Sequence, residues 1–308
     1  MTKKIKLIDY DVVYLSYDEP NAEKNYADLL TKIPWAKRVH GVEGSDSAHK
    51  ACARLAETER VTIIDGDNII KPELIQQTIE FVDDADLSKS VLSYAAENVI
   101  NGLQYGNGGV KNWDRELILT MQTHENADPS NDKTQVDFCW DINYLQLKSC
   151  MSYVHNNATP QQAWRAGFRE GVKMSLLEGS KPTRDLPFDK QVHWKNYHRL
   201  VTWMNVGADV QHGIWAMYGA RLGCWMTNIK HDWDYTLVRD FKYLNSLWND
   251  IETNTEFDLS QEMINLGTEL RDQLGILTGP SILDPDQSKF FKALYTNPPR
   301  MKNNWVIE

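Results

Sequence analysis

The stretch VTIIDGDNII, residues 61 to 70, sets Asp65 and Asp67 two residues apart at the end of an apolar, β-branched run, with Gly66 between them. The run reads as a strand. Two carboxylates at i and i+2 offer oxygens to one hard divalent cation, and the intervening glycine leaves the backbone open to a ligand. Mg²⁺ or Mn²⁺ held this way keeps positions free for substrate phosphates. An Asp-Gly pair serves a tight turn equally well, so the neighbouring chain has to decide between the two uses.

On the N-terminal side, YDVVYLSY reads as a strand, NAEKNYADLLTKI as a helix, AKRVHGV as a strand and SDSAHKACARLAET as a helix, ahead of the strand RVTIIDGD. Strands alternating with helices predict an α/β fold built on a mostly parallel sheet flanked by helices, with ligands beyond the carboxyl ends of the strands. Asp65 and Asp67 fall at such an end. On the C-terminal side, KPELIQQTIEFVDDA reads as a helix with Pro72 in its first turn, and SVLSYAAENVINGLQYGNGGVKNWDRELI mixes strand with glycine-rich loop. THENADPSNDKT and EGSKPTRDLPFDKQ read as loops. NATPQQAWRAGFREGVKMSLL carries a helix start, with Thr159 as N-cap, Pro160 at the first helical position and Gln162 completing a capping box. GADVQHGIWAMYGARLG reads as a helix, CWMTNI as a short strand, and LSQEMINLGTELRDQLGI and DPDQSKFFKALY as late helices.

A chain of 308 residues, 42% hydrophobic and 25% charged, is large enough for a sizeable core. Its N-terminus lacks the apolar length of a signal peptide and no window approaches a membrane span, so a cytoplasmic protein without membrane association is expected. Cys52, Cys139, Cys150 and Cys224 have no CxxC or zinc spacing and read as reduced thiols. The net charge of −10 argues against a general nucleic-acid coat. Residues 151 to 200 are locally basic, with eight Lys/Arg against four Asp/Glu.

The order of VVYLSYDEPN as first strand and loop, a second αβ unit, then a strand ending in Asp-x-Asp resembles the nucleotide-sugar-binding half of GT-A-type glycosyltransferases. The resemblance implies one catalytic domain over 1–308, with a nucleotide-sugar half (1–120), an acceptor half (121–240) and a helical C-terminal portion (241–308). It implies that Asp65 and Asp67 hold Mn²⁺ or Mg²⁺ against the donor diphosphate, and that Ser16, Tyr17, Asp18 and Glu19 contact the donor nucleoside. In that family an acidic pair often opens a helix near the acceptor and its second carboxylate serves as base. Here the pair is Ala208-Asp209; the alanine departs from the pattern, and helix N-capping is the other use of Asp209. A family His after the following strand often completes the metal shell, and His231 matches by placement.

Three further stretches bear on the acceptor. In VINGLQYGNGGVKNWDRE, Asn107, Gly108 and Gly109 would let backbone approach a sugar while Tyr105 and Trp113 form a wall, or the glycines simply make a tight turn. Arg165, Arg169 and Lys173 recur every four residues along one helix face, either solvated or holding phosphates. In HWKNYHRLVTW, Trp194, Tyr197 and Trp203 interleave with Lys195, His198 and Arg199, which suits base stacking, sugar stacking or a core.

Whole stretches, including LSYDEPNAEKNYADLL, PWAKRVHGVEGSDSAHKACA and AWRAGFREGVKMSL, resemble phage-encoded glycosyltransferases that modify 5-hydroxymethylcytosine in viral DNA, arabinosyltransferases among them. This resemblance implies a UDP-sugar donor, a flipped DNA base as acceptor, and Asp209, or else Asp114 or Asp141, as general base. Arg165, Arg169, Lys173, Lys195 and Arg199 would then hold DNA phosphates. A glycosyltransferase acting on a glycan, protein or small molecule fits the acidic balance. A sugar-phosphate nucleotidyltransferase also pairs Asp with a metal, but its usual glycine-rich basic loop is missing from SYDEPN.

Overall fold

The computed structural model describes residues 3–82, 87–106, 109–140, 142–295 and 306–307. In chain order its first half runs β1 (Lys3–Lys6), β2 (Asp11–Ser16), α1 (Ala22–Lys32), β3 (Lys37–His40), α2 (Ser45–Leu55), β4 (Arg60–Asp65), β5 (Asn68–Ile70), β6 (Thr78–Phe81), β7 (Ser90–Asn98), β8 (Gln104–Tyr105), β9 (Val110–Asp114), α3 (Arg115–Thr120), α4 (Asp132–Val136) and β10 (Asn143–Val154). The helical remainder comprises α5 (Pro160–Met174), α6 (Phe188–Gln191), α7 (Trp194–Asn205), α8 (Gly213–Asn228), α9 (Phe241–Thr253), α10 (Leu259–Leu274) and α11 (Pro285–Leu294), followed by β11 (Val306–Ile307).

The expected βαβαβ opening is present. β2 lies between β3 and β4 and runs parallel to both. Period-two alternation sends Val12, Tyr14 and Ile64 to one face, where they pack with Leu29 of α1, and Val13, Val61 and Ile63 to the other, where they meet Cys52 and Ala53 of α2. The first crossover runs from β2 out to β3 and the second runs back from β3 past β2 to β4, so helices on opposite faces are what a constant crossover hand requires. The carboxyl ends of β2 and β4 are therefore the switch point at which sheets of this winding form a crevice.

Beyond β4 the sheet is mixed, which corrects the expectation of a mostly parallel one. The eight-stranded sheet has the order β3-β2-β4-β9-β7-β10-β5, with β8 paired to β7. β9 is antiparallel to both β4 and β7, because the chain leaving β7 doubles back through β8 and inserts itself between the two. β7 and β10 are parallel to each other and share the direction of β4. Their carboxyl ends, at Asn98 and Val154, thus lie on the same edge as Asp65. β10 is a strand that the periodicity of the sequence does not predict, and it belongs to this sheet.

Two helix and strand assignments are also corrected. Residues 71 to 82 form a 3₁₀ turn, Pro72–Gln76, and the strand β6, which joins β1 and β11 in a second, three-stranded sheet. Ile79 and Phe81 alternate inward from that strand, a pairing that only a distant partner can stabilise. CWMTNI is the last part of α8 rather than a strand.

α5 forms as its sequence predicts, with the Thr159 hydroxyl accepting from Gln162 N at 3.1 Å. The Gln162 side chain closes back one residue early, accepting from Ala158 N at 2.8 Å. α5 and α8 pack parallel and so closely that backbone touches backbone. A Cβ added at Gly167 would lie 1.9 Å from Ala216 O, and one at Gly171 would lie 2.2 Å from Ala220 O. Gly219 and Gly223 of α8 make the reciprocal approach to Trp164 and Phe168.

An alanine in a helix interior normally stabilises by about 1 kcal/mol relative to glycine. At Gly167 the clash is with backbone, which cannot rotate away, so overpacking outweighs propensity. Gly167→Ala is expected to lower stability by about 2 kcal/mol. Chemical denaturation of the variant against wild type checks this, and a more stable variant would show that the helices separate at little cost.

Candidate functional site

The two aspartates are fixed by the backbone around them. Asp65 N donates to Gly109 O at 3.0 Å, and Asp67 O accepts from His155 N at 2.7 Å. Between them the Gly66 carbonyl accepts from the Tyr14 hydroxyl at 2.6 Å and from the Asn25 amide at 3.0 Å. A Cβ at Gly66 would lie 2.7 Å from Glu19 Oε2 and 2.9 Å from Ser16 Cβ, so the glycine is required by the close approach of the β2 loop. Asn68 donates to Asp67 Oδ1 at 2.7 Å, while its own Oδ1 accepts from Ser152 at 2.8 Å. Both carboxylates are half-buried in the crevice. The tight turn thus leaves both carboxylates at the carboxyl edge of the sheet.

The loop after β2 closes one side. Ser16 is buried, with its hydroxyl 2.9 Å from His40 Nδ1 and accepting from Arg38 Nε at 3.1 Å. Tyr17 N donates to Glu19 Oε2 at 2.8 Å, which turns that carboxylate toward Gly66. Asp18 receives both terminal nitrogens of Arg165, at 2.7 and 2.8 Å. The Arg165 and Arg169 guanidinia stand 4.5 and 5.1 Å from the ring of Phe241 at the start of α9, and the Tyr17 ring meets Phe241 edge-on at 6.0 Å. The Gln162 amide donates to Asn21 at 3.3 Å, and Asn21 donates to His155 O at 2.7 Å.

This arrangement corrects the reading of Arg165, Arg169 and Lys173 as a solvated or DNA-facing stripe. Arg165 is buried, and Lys173 is ion-paired with Asp137. The stripe faces the carboxyl edge of the sheet. Four residues per repeat fixed which residues share a face but not what that face meets.

Burial dominates the electrostatics. It raises Asp65 to about 7, with Lys111 pulling it down and Asp67 and Glu19 pushing it up. Asp67 and Glu19 are raised by the same cause, with the Asp67 charge adding to the rise at Glu19. Burial lowers Lys111 and Arg169. Carboxylates crowded in a crevice at this cost are suited to a divalent cation, whose charge reverses the balance. Among the described residues no group of three or more His, Cys, Asp or Glu side chains gathers closely enough to hold a metal. Asp65 and Asp67 therefore supply at most a pair of oxygen donors, a set that fits Mg²⁺ or Mn²⁺ completing its shell with water and substrate phosphate.

His231 does not join them. It is exposed, beyond the C-terminal end of α8, and the parallel packing puts that end about 18 Å along the axis past Ala216, which is level with Gly167. The strand expected to precede it is helix. Asp114 is likewise remote: it pairs with Arg60 at the start of β4, about 16 Å from Asp65 along the strand, and caps α3 by accepting from Leu117 N at 2.8 Å. Asp141, Asn107 and Gly108 lie outside the described residues. Asp209 is ion-paired with Lys292 of α11 at 2.6 Å, while its Oδ1 is buried with no partner. It does not cap α8, whose N-cap is His212.

On the acceptor side, Gly109 is needed because a Cβ there would lie 2.2 Å from Asn68 Oδ1. Trp113 is fully buried between His49 and Phe138 and forms no wall. The Tyr105 hydroxyl hydrogen-bonds Glu170 and accepts from Trp203 Nε1 at 3.0 Å, with the Arg199 guanidinium 4.7 Å from its ring. Trp203 and Lys195 are buried and Trp194 is exposed, so the interleaved aromatics of α7 split between core and surface. Phe241, Glu170 and Lys111 had no part in the sequence reading. For Lys111 a signal existed: a lysine between Val110 and Trp113 in the short run GVKNW.

No protein-family model and no curated protein matches the chain. Among solved structures it is similar to HddC from Yersinia pseudotuberculosis, at 15% identity over 46% of this chain and 69% of that one, with a TM-score of 0.27. A superposition that loose assigns neither family nor activity. No helix among the described residues is long and apolar enough to cross a membrane.

Because burial lifts Asp65 to about 7, the folded protein keeps a proton there that the unfolded chain releases near pH 4. Stability therefore falls as pH rises from about 4 to about 7, and the penalty is complete above that window. Asp65→Asn removes it. In chelator, the variant is expected to melt above wild type at pH 8, with the gap closing at pH 4.5. An equal offset at both pH values would show that ionisation of Asp65 is not its source.

Proposed function

We propose that the protein is a metal-dependent glycosyltransferase that moves a sugar from a UDP-sugar to 5-hydroxymethylcytosine in DNA. The observation that carries the transferase reading is the crevice between β2 and β4, where Asp65 and Asp67 face Arg165 and Arg169 across the acidic loop Tyr17–Asp18–Glu19. Mn²⁺ or Mg²⁺ bound at Asp65 and Asp67 would neutralise the departing diphosphate. Ser16 and Tyr17 line the position of the donor nucleoside. Phe241 supplies an apolar floor under the two guanidinia, and the Asp18–Arg165 pair fixes the loop against α5, which excludes water from that side.

Asp209 is the base in this reading. Lys292 holds one oxygen, leaving Oδ1 to accept the proton of the attacking hydroxyl. A 5-hydroxymethyl group inside duplex DNA has to leave the stack to reach it. The DNA acceptor is supported by the resemblance of the quoted stretches. With the α5 stripe turned inward, DNA phosphates fall to the exposed Arg184 and Lys190, which precede the exposed Trp194.

The net charge of −10 and the inward stripe favour a second reading, transfer to a glycan, protein or small molecule. Incubation with nucleotide sugars and either hydroxymethylated DNA or sugar acceptors, followed by mass spectrometry of the nucleosides and glycosides, decides between them. Glycosylated nucleoside is the expected product; glycoside formation with unmodified DNA would select the second reading. Asp67→Asn, or excess chelator with wild type, is expected to reduce turnover roughly 10²-fold or more. Full turnover in chelator would remove the metal from the mechanism.

A further inference from the structure

Four cations of β9 and α5 line the edge of the crevice, and they divide into two kinds. Arg165 is paired with Asp18, and Lys173 with Asp137. Lys111 and Arg169 form no hydrogen bond or ion pair among the described residues, and Arg169 Nε is buried without a partner. Lys111 is 5% exposed. An unpaired ammonium at that depth is strongly unfavourable in an isolated fold.

The fields of both cations act on Asp65 and Asp137. Lys111 stands opposite Ile63 of β4, and two residues along, on the same face, Asp65 stands opposite Gly109, to whose carbonyl its N–H bonds. The Lys111 ammonium lies 5.5 Å from the ring of Phe138, which closes it off from solvent on that side. Its field reaches Asp65 and Asp137, and that of Arg169 reaches Asp65, Asp67 and Asp137. With Asp137 held by Lys173, Lys111 and Arg169 face Asp65, and Arg169 faces Asp67 as well, without a hydrogen bond to either carboxylate.

We infer that Lys111 and Arg169 form a phosphate subsite beside Asp65, which takes the terminal phosphate of a nucleoside diphosphate and does so without metal. The identification of that phosphate with the donor's rests on the glycosyltransferase reading. A DNA backbone phosphate cannot reach an ammonium set this far into the sheet. A terminal phosphate entering along the crevice can, and it would supply the anion that both cations lack.

Calorimetric titration of inorganic pyrophosphate into the protein in EDTA tests the subsite. Wild type is expected to bind, and Lys111→Met and Arg169→Gln are each expected to weaken binding tenfold or more. Lys111→Met removes an uncompensated buried charge, so its Tm is expected to match or exceed that of wild type. Unchanged pyrophosphate affinity with a lowered Tm would overturn the inference and make Lys111 a structural counterion of Asp65 and Asp137. Absence of wild-type binding would overturn it as well, and Arg169→Gln keeps the test open should Lys111→Met fail to fold. A parallel titration of UDP with Mn²⁺ separates the two claims. Pyrophosphate binding that depends on Lys111, in a protein that does not bind UDP, upholds the subsite and sinks the donor reading. A short duplex whose affinity falls with Lys111→Met while pyrophosphate affinity does not would assign the lysine to nucleic acid and overturn the subsite.

Discussion

Like charges held close together in a half-buried crevice are the constraint around which the molecule is arranged. Glu19, Asp65 and Asp67 are all raised by burial, with Asp67 adding to the rise at Glu19 and both Asp67 and Glu19 adding to that at Asp65. They stay together because the backbone leaves them no alternative: Gly66 admits no side chain, its carbonyl is held by Tyr14 and Asn25, and Asp67 is tied to His155. β2, β4 and the residue after β10 all end here.

Positive charge is supplied from across the crevice, by α5, and it is supplied unevenly. The bidentate Asp18–Arg165 pair is a fixed joint between the sheet and the helical part. Arg169, one turn on, has the same Phe241 ring beneath it and no carboxylate to grip. A fold selected only for stability would pair both arginines or replace the second with an apolar residue. Trp164 and Phe168 of the same helix pack with Trp233 and Trp248 in one buried cluster.

What was legible in the sequence was local. The β2–α1–β3–α2–β4 opening follows from short periodic runs between turn residues, and the start of α5 from three residues of a capping motif. What failed depended on partners far along the chain. β9 inserts between β4 and β7 by doubling back, which no run of residues announces. β10 alternates irregularly because its register with β7 shifts between Gln146 and Ser152, so period-two reading passes over it. The 71–82 segment has helix-like spacing, but Ile79 and Phe81 are claimed by β1 and β11. For the site, Asp65 and Asp67 were visible because two carboxylates at a strand end are unusual. Asp114 is expected on the acceptor side as an alternative base, and the antiparallel direction of β9 puts it at the opposite end of β4 from Asp65.

The parallel pairing of α5 and α8 has an electrical side. Helices in contact along their backbones with the same polarity repel through their dipoles, and the glycines that permit the contact make the repulsion stronger by shortening the distance. Both amino-terminal ends finish beside the crevice, where Asn157, just ahead of α5, donates to Gln211 O, just ahead of α8, at 2.8 Å. Two partial positive poles therefore sit at the edge where Asp18, Glu19, Asp65 and Asp67 collect. The carboxylates screen the helix ends from each other, and the helix ends make the carboxylates less unfavourable as anions. An acidic crevice and a same-direction helix pair each relieve the defect of the other.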